Sequence, residues 1–453
     1  EKFDVDKLKK AQRQDMIKKT AIKPSDRFQR ITNALTNVHK HSENNAMKSI
    51  GMVVGNELIK AISRVLEPPK ITSTPKNKEI VPESGSWNVP KFIAPAKLHS
   101  WSVVWFDPDL NKPLVADMIR ILIEVLTEKG LALALAAQRK NTEMDPQLIV
   151  SIVSSKINGV SGIYTEIKKA CLVDLGINSQ CFQSGERQWR QRWKPICNNY
   201  MILGADVFHP SKEEKKKGRP SIAAIVASMD PYATKYVGRY SMNKKLKNEV
   251  IEEIDSMIKD FIETFEEKND KSLPEAILFY RDGVAEGQFE IIMNDEVNKL
   301  LDALKDLYQS RELSPPKLTF VIMQKRHHTR AKPDDESNAD PKSKGNCQPG
   351  TIIDKTIVVP QYFTFLLQSH SSPLGTARPA YYHVIYDEIG FSQDEMQTLT
   401  YNLCFSSVRC NLALSMVTPL HYAHNLANLA KNFVTYEESP VDGDRPEDVL
   451  NGK

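Results

Sequence analysis

Two aspartates in this 453-residue chain stand where a carboxylate is costly. Asp206 closes the apolar run MILGA, Met201 to Ala205, and Asp282 closes AILFYR, Ala276 to Arg281. Each run reads as a buried strand, and a charge at the end of such a strand needs a partner. For Asp282 two partners are open: an ion pair with Arg281 or a neighbour, or a metal ion. Glu249 falls near the start of a helical pattern between the two strands, and His424 lies in HYAHN, three residues after His421. Carboxylates gathered at one sheet end repel one another unless a cation neutralises them. Hard oxygen ligands suit Mg2+ or Mn2+ rather than Zn2+. Two such ions about 4 Å apart can activate a water and stabilise the leaving oxygen of a phosphodiester. Taken singly, each residue has a structural alternative: an Asp can be a cap, and a lone His a satisfied core residue.

The elements that must position these side chains are readable. From Asn199 onward, MILGADVF, SIAAIVASM and Tyr236 to Tyr240 are expected strands. Glu249 to Phe265 is an expected helix, AILFYRD a strand, Phe289 to Leu304 a helix and Lys317 to Met323 a strand. Three strands, helix, strand, helix, strand is the order of a ribonuclease-H-like fold. Arg330 to Pro349 is polar and aperiodic and reads as a mobile loop. Residues 356–367 and 380–387 add strands, and Gln393 to Leu403 and Tyr422 to Phe433 add helices.

Ahead of this lies a smaller unit. Leu98 to Phe106, Leu148 to Val153 and Ser179 to Phe182 read as strands, with helices over Asp109 to Lys129 and Ile163 to Val173. The alternation predicts a parallel α/β sheet whose ligand sits beyond the strand ends, near helix N-termini. Tyr164 and Lys168, at i and i+4, suit a terminal phosphate, with an ordinary surface pair as the alternative. Arg187, Arg190 and Arg192 interleave with Trp189 and Trp193, a pattern for nucleic-acid stacking or for docking of the indoles on the next domain. Ile71 to Pro90 reads as a linker. Residues 1–70 read as a connector with helices at Asp26 to Val38 and Asn45 to Val65.

Composition sets wide bounds. At 41% hydrophobic and 26% charged, with net charge +4, the chain is an ordinary soluble protein, and its charge proves no nucleic-acid partner. No apolar run approaches membrane-spanning length, so no membrane insertion is expected. Six cysteines without a CxxC pair point to reduced thiols in the cytoplasm, with a nuclear pool as an alternative. A start at Glu1 without Met reads as an excised portion of a longer protein.

The strings ILGADVFHP, PSIAAIVASMD, NEVIEEI, FYRDGVAEGQF, QKRHHTR, PAYYHVIYDE, LTYNLCFSSVRC and PLHYAHNLA resemble the carboxyl-terminal half of eukaryotic Argonaute proteins. QKRHHTR favours the Argonaute branch over the Piwi branch. MIKKTA and RVLEPPK resemble the family's second linker, and GIYTEIKKA and SQCFQ its MID domain. The resemblance implies a linker over 1–70, a Rossmann-like parallel α/β MID domain over 71–195 and an RNase-H-like PIWI domain over 196–453. It implies a slicer: a Mg2+- or Mn2+-dependent endoribonuclease that cuts target RNA paired to a small guide RNA. The family's tetrad falls on Asp206, Glu249, Asp282 and His424, with Asp206, Asp282 and His424 as metal ligands. The guide's 5′-phosphate would meet Tyr164, Lys168 and Gln180, and its backbone Lys325, Arg326 and His328. Partners would include complementary target RNA and Trp-rich silencing proteins.

Departures from the family pattern bear on the guide. Only Ser184 to Met201 separates SQCFQ from GADV, a short interval. Two arginines of the family stand here as Leu412 and Leu429. Fewer cations at the guide's 5′ end imply weaker phosphate binding. A guide-loaded scaffold that recruits partners without cutting is the alternative function. A transposase- or resolvase-like nuclease acting on duplex DNA is a third, against which QKRHHTR and HYAHN argue.

Overall fold

The computed structural model describes residues 10–42, 49–51, 55, 57–73, 78–88, 97–98, 100–106, 112–128, 132–133, 146–153, 160–183, 200–216, 218–243, 249–359 and 362–434. In chain order these form α1 (Lys10–Thr20), α2 (Pro24–Ser42), β1 (Arg64–Val65), β2 (Ile71–Ser73), β3 (Lys78–Ile80), β4 (Lys97–Leu98) and β5 (Trp101–Trp105). Then come α3 (Lys112–Glu128), β6 (Ala132–Leu133), β7 (Leu148–Val153), α4 (Val160–Lys168) with a π-helical continuation Lys169–Asp174, and β8 (Asn178–Gln183). The larger region holds β9 (Tyr200–Phe208), α5 (Lys212–Lys216), β10 (Ser221–Ser228), β11 (Tyr236–Asn243), α6 (Ile254–Lys268) and β12 (Ala276–Asp282). It continues with α7 (Phe289–Ile292), π-helical Met293–Val297, α8 (Asn298–Gln309), β13 (Lys317–Gln324), β14 (Thr351–Ile353), β15 (Phe363–Gln368), β16 (Ala380–Asp387), α9 (Gln393–Leu403) and α10 (Thr418–Ala430).

Nine strands make one mixed sheet in the order β1-β14-β15-β16-β13-β12-β9-β10-β11. Its centre, β9 and β12, is buried along almost every residue, and β12 runs parallel to both β9 and β13. Strands covered on both faces read as continuous apolar runs, which is why MILGA and AILFY lack alternation. On one face, α6 and α8 bury Ile254, Ile258, Phe261, Ile262, Leu300 and Leu304 against β9, β10 and β12. Each such side chain contributes about 1.5–3 kcal/mol. The other face carries α9 and α10. The smaller sheet, β5-β7-β8, is parallel throughout, as the strand–helix alternation predicts.

Several expectations change. Within the helix expected over Asn45 to Val65, residues 57–63 carry neither helix nor strand, and Arg64–Val65 joins the large sheet as edge strand β1 beside β14. Arg64 is anchored there by Asp394 at 2.6 Å and by Gln397, so sheet pairing overrides local helical patterning. The stretch read as a linker pairs β2 with β3, and Ile71 and Trp87 are buried in the layer under α9 and α10. The loop 330–349 is held by polar bonds: buried Asp340 accepts from Ser343 and Ser371, and Asn346 spans to Gly375 and Ala377. Finally, β15 begins only at Phe363, not at residue 356. The interleaved run Arg187 to Lys194 lies outside the described residues.

One contact fixes α10 over the sheet. A Cβ at Gly204 of β9 would stand 2.2 Å from the Pro419 carbonyl carbon, so only glycine permits this approach. Gly204→Ala is expected to push α10 off β9 and destabilise the fold by at least 1–3 kcal/mol, about the usual cost of overpacking. A chemical denaturation midpoint unchanged from wild type would contradict this packing.

Candidate active site

The parallel register between β9 and β12 pairs Ala205 with Arg281. The next residue on each strand is the aspartate, so Asp206 and Asp282 are neighbours; Asp282 ends β12, whereas β9 runs two residues past Asp206, which pairs with Ala224 of β10 instead of closing its strand. Asp206 is 8% exposed. From α10, His424 Nδ1 lies 2.8 Å from Asp206 Oδ2. Burial works against the Asp206 charge, but the hydrogen bond and charge of His424 outweigh it and hold the carboxyl below its ordinary range. The same bond raises His424.

Glu249 is not on a helix, because α6 starts only at Ile254. It sits on the segment leading into that helix, with His209 Nε2 2.8 Å from its Oε2. The Ser221 hydroxyl is 3.0 Å from His209 Nδ1. Burial opposes the Glu249 charge and the bond from His209 prevails, keeping the carboxyl below its usual range. A Cβ at Gly283 would lie 3.9 Å from both Asp206 Oδ1 and Glu249 Oε2. The two acids therefore line one gap, and Gly283 (φ +90°) leaves it open. Asp282 closes the third side. Its Oδ1 accepts from the Gly283 N–H at 2.7 Å. Burial and the neighbouring Asp206 charge push it up to about 6.

Arg281 does not pair with Asp282. Its side chain is fully buried, with Nε 3.1 Å from Glu296 Oε2. It also donates to the backbone carbonyls of Asp282 and Glu249. Glu296 in turn accepts from the Ile251 N–H at 2.8 Å. His209, Arg281 and Glu296 thus hold the acids in place; the sequence offers Arg281 only as an ion-pair partner of Asp282, and His209 and Glu296 not at all. The signal for His209 was its position three residues past Asp206.

Lys325 donates to the Ser415 hydroxyl, and burial lowers its pKa although Asp282 nearby opposes that shift. Arg326 and His328 are exposed, and the Arg326 charge reaches Glu249. In the smaller sheet's region, Lys168 Nζ lies 5.7 Å from the Tyr164 ring centroid and 3.0 Å from the Ser179 hydroxyl. Burial lowers Lys168 and raises Tyr164, and Arg409 of the large-sheet region acts electrostatically on both. Gln180 is exposed and donates to the Cys181 carbonyl at 3.3 Å. Arg409 is a cation near this pocket that the sequence reading passed over.

Residues 188–435, more than half of the chain, match the model of the Piwi domain family. The chain belongs to the Argonaute family. It is 33% identical to protein argonaute 5 of Arabidopsis thaliana, across 96% of this chain and 49% of that protein. It is 32% identical to protein argonaute MEL1 of Oryza sativa subsp. japonica, across 96% and 47%. The chain therefore spans about half the length of these curated Argonaute relatives. The fold matches Kluyveromyces polysporus Argonaute with a guide RNA at TM-score 0.76 and 20% identity, covering 94% of this chain and 55% of that one. Drosophila Piwi matches at 0.72 and 20%, covering 92% and 61%. The RNase-H-like PIWI sheet and the parallel MID sheet are those of Argonaute proteins.

The donor set suits a hard divalent cation. Asp206 and Glu249 each turn an oxygen to one point, and Asp282 beside them is raised by burial and by the Asp206 charge, a repulsion that a cation would relieve. Among the described residues no group of three His, Cys, Asp or Glu side chains is arranged to hold a metal ion. The raised Asp282 has a stability consequence. Its folded pKa of about 6 lies above the unfolded value near 4, so the fold favours the protonated acid. Stability falls as pH rises between those values and stays reduced above. In chelator at pH 8, Asp282→Asn is expected to gain up to about 3 kcal/mol, the gain vanishing at pH 4. Urea denaturation at the two pH values checks it.

Proposed function

We propose that this Argonaute chain anchors a small guide RNA and cuts the paired target RNA as a slicer. The observation that carries the reading is the single gap lined by Asp206, Glu249 and Asp282, with His424 bonded to Asp206, inside the Piwi-family match. Asp206, Asp282 and His424 would hold divalent ions, and Glu249 would complete their surroundings. Bound there, Mg2+ or Mn2+ supplies an activated water and stabilises the leaving oxygen. The chain's own residues orient and balance charge. His209 keeps Glu249 ionised and facing the gap, His424 does the same for Asp206, and Arg281 holds the backbone carbonyls of Glu249 and Asp282. Cleavage in this mode leaves a 3′-hydroxyl on one fragment and a 5′-phosphate on the other.

Target sequence is read by base pairing with the guide, so the protein needs only backbone and A-form shape contacts. Tyr164 in the middle of α4 and Lys168 at its end, rather than at its N-terminus as the sequence pattern suggests, would with Gln180 and Arg409 supply donors and charge for the guide's 5′-phosphate. Lys325, Arg326 and His328 lie on the segment after β13 that approaches the carboxylates and would track the guide backbone. Target RNA and Trp-rich silencing proteins are the proposed partners.

Two measurements test the reading. Guide-loaded protein with a paired target should cut in Mg2+, stop in chelator, and lose activity by at least about a thousandfold in Asp282→Ala. Wild type as inert as the variant would instead make the chain a guide-loaded scaffold. Lys168→Ala should reduce the binding advantage of a 5′-phosphorylated guide over a 5′-hydroxyl guide by about tenfold, the worth of one charge-assisted bond. An undiminished advantage would place the 5′ end elsewhere.

A further inference from the structure

His424 has a second neighbour besides Asp206. Asn428, one turn later on α10, places Nδ2 2.9 Å from the His424 carbonyl oxygen and 3.0 Å from His424 Nε2. A carbonyl oxygen can only accept, so the amide nitrogen must be the Asn428 atom that faces it. The same amide group then donates to Nε2, which must carry the lone pair. The ring proton is on Nδ1 and is donated to Asp206 Oδ2 at 2.8 Å. The three side chains form one directed relay, from Asn428 through His424 to Asp206, and the backbone carbonyl sets its direction.

This relay fits the cation-free site only. For His424 to offer Nδ1 to a divalent ion, that nitrogen must give up its proton, and the neutral ring must carry it on Nε2 instead. The net protonation of the ring is unchanged, but its tautomer is reversed. A metal-bound imidazole nearly always donates its other N–H to an oxygen acceptor, which fixes the ring's orientation. Asn428 is the residue already in contact with Nε2. Turned over about its amide, it offers Oδ1 in place of Nδ2. The bond lost is the one to the His424 carbonyl, whose other lone pair stays within the ordinary helical ladder.

We propose that Asn428 is a positioning residue that serves both tautomers of His424, donating to Nε2 in the free site and accepting from it when Nδ1 faces a divalent ion. The inference rests on the reading of His424 as a metal ligand, and it assigns Asn428 no contact with RNA. An aliphatic side chain at 428 would leave the free tautomer in place, because Asp206 still holds Nδ1–H. It would remove the acceptor that the ion-facing tautomer needs.

The test uses the full chain without RNA. Long-range 1H–15N correlation spectra of the histidine rings, with His424 assigned by His424→Gln, should show the Nδ1–H pattern in chelator and the Nε2–H pattern in excess Mg2+. Asn428→Leu and Asn428→Ala should keep the wild-type melting temperature and the Nδ1–H pattern in chelator. Both should bind Mn2+ about tenfold more weakly by titration calorimetry, the low end for losing such a supporting bond. Wild-type Mn2+ affinity in both variants, or a Nδ1–H pattern that persists in Mg2+-loaded wild type, would overturn the role of Asn428 and leave the metal site standing. Failure of wild type to bind Mn2+ would overturn both together.

Discussion

The buried pair of Arg281 and Glu296 is the constraint on which the site depends. Neither side chain has any exposed surface. Taking both charges out of water costs several kcal/mol each, and a buried pair is often no more stabilising than apolar residues of the same shape. What the pair supplies here is connection. Burial works against the charge on Arg281, and Glu296 outweighs it, so the guanidinium stays charged with donors to spare. Those donors reach the carbonyls of Asp282 at the end of β12 and of Glu249 on the segment before α6. Glu296 binds the Ile251 N–H of that same segment. Three parts of the chain that are far apart in sequence are thereby fixed around one fork of donors. Glu296 itself sits in the π-helical turn Met293–Val297. A single wide turn of this kind shifts the register of the residues that follow and is common beside functional sites.

Much of this was legible in the amino-acid order. MILGA and AILFY are long apolar runs that only a buried strand explains, and both aspartates follow directly, so their meeting needed only that β9 and β12 be neighbours. Leu148 to Val153 and Gln393 to Leu403 match their elements residue for residue. The supports were not legible, because each depends on tertiary contact. Nothing local tells that Arg281 will ignore Asp282 for a glutamate fifteen positions away. Residues 249–253 carry helical spacing, yet the fork of Arg281 and the Glu296 carboxylate hold them in another conformation. The loop after Arg330 has no period to read, and its order comes from Asp340 and Asn346 bonding across it. Arg64–Val65 shows the same override at the sheet edge.

The two regions of the chain meet electrostatically through α10 and the turn before it. Arg409 acts on Tyr164 and Lys168 on one side and on His421 on the other. Burial, with Arg409 and His424 nearby, lowers His421 to about 4, so His421 adds no charge to the helix that carries His424.

The three acids of the gap are not equivalent, and the difference comes from what each one touches. Asp206 and Glu249 each accept a hydrogen bond from an imidazole at 2.8 Å. Both are held below their usual range despite burial. Asp282 has a backbone N–H instead, and it alone is pushed upward. Two imidazoles therefore allow two carboxylates to stay ionised in a confined space, and the third, buried and beside the Asp206 charge, tends to keep its proton. Two ionised carboxyls with a third crowded beside them would offer a cation negative charge to neutralise, at the strand end that Arg281 holds still.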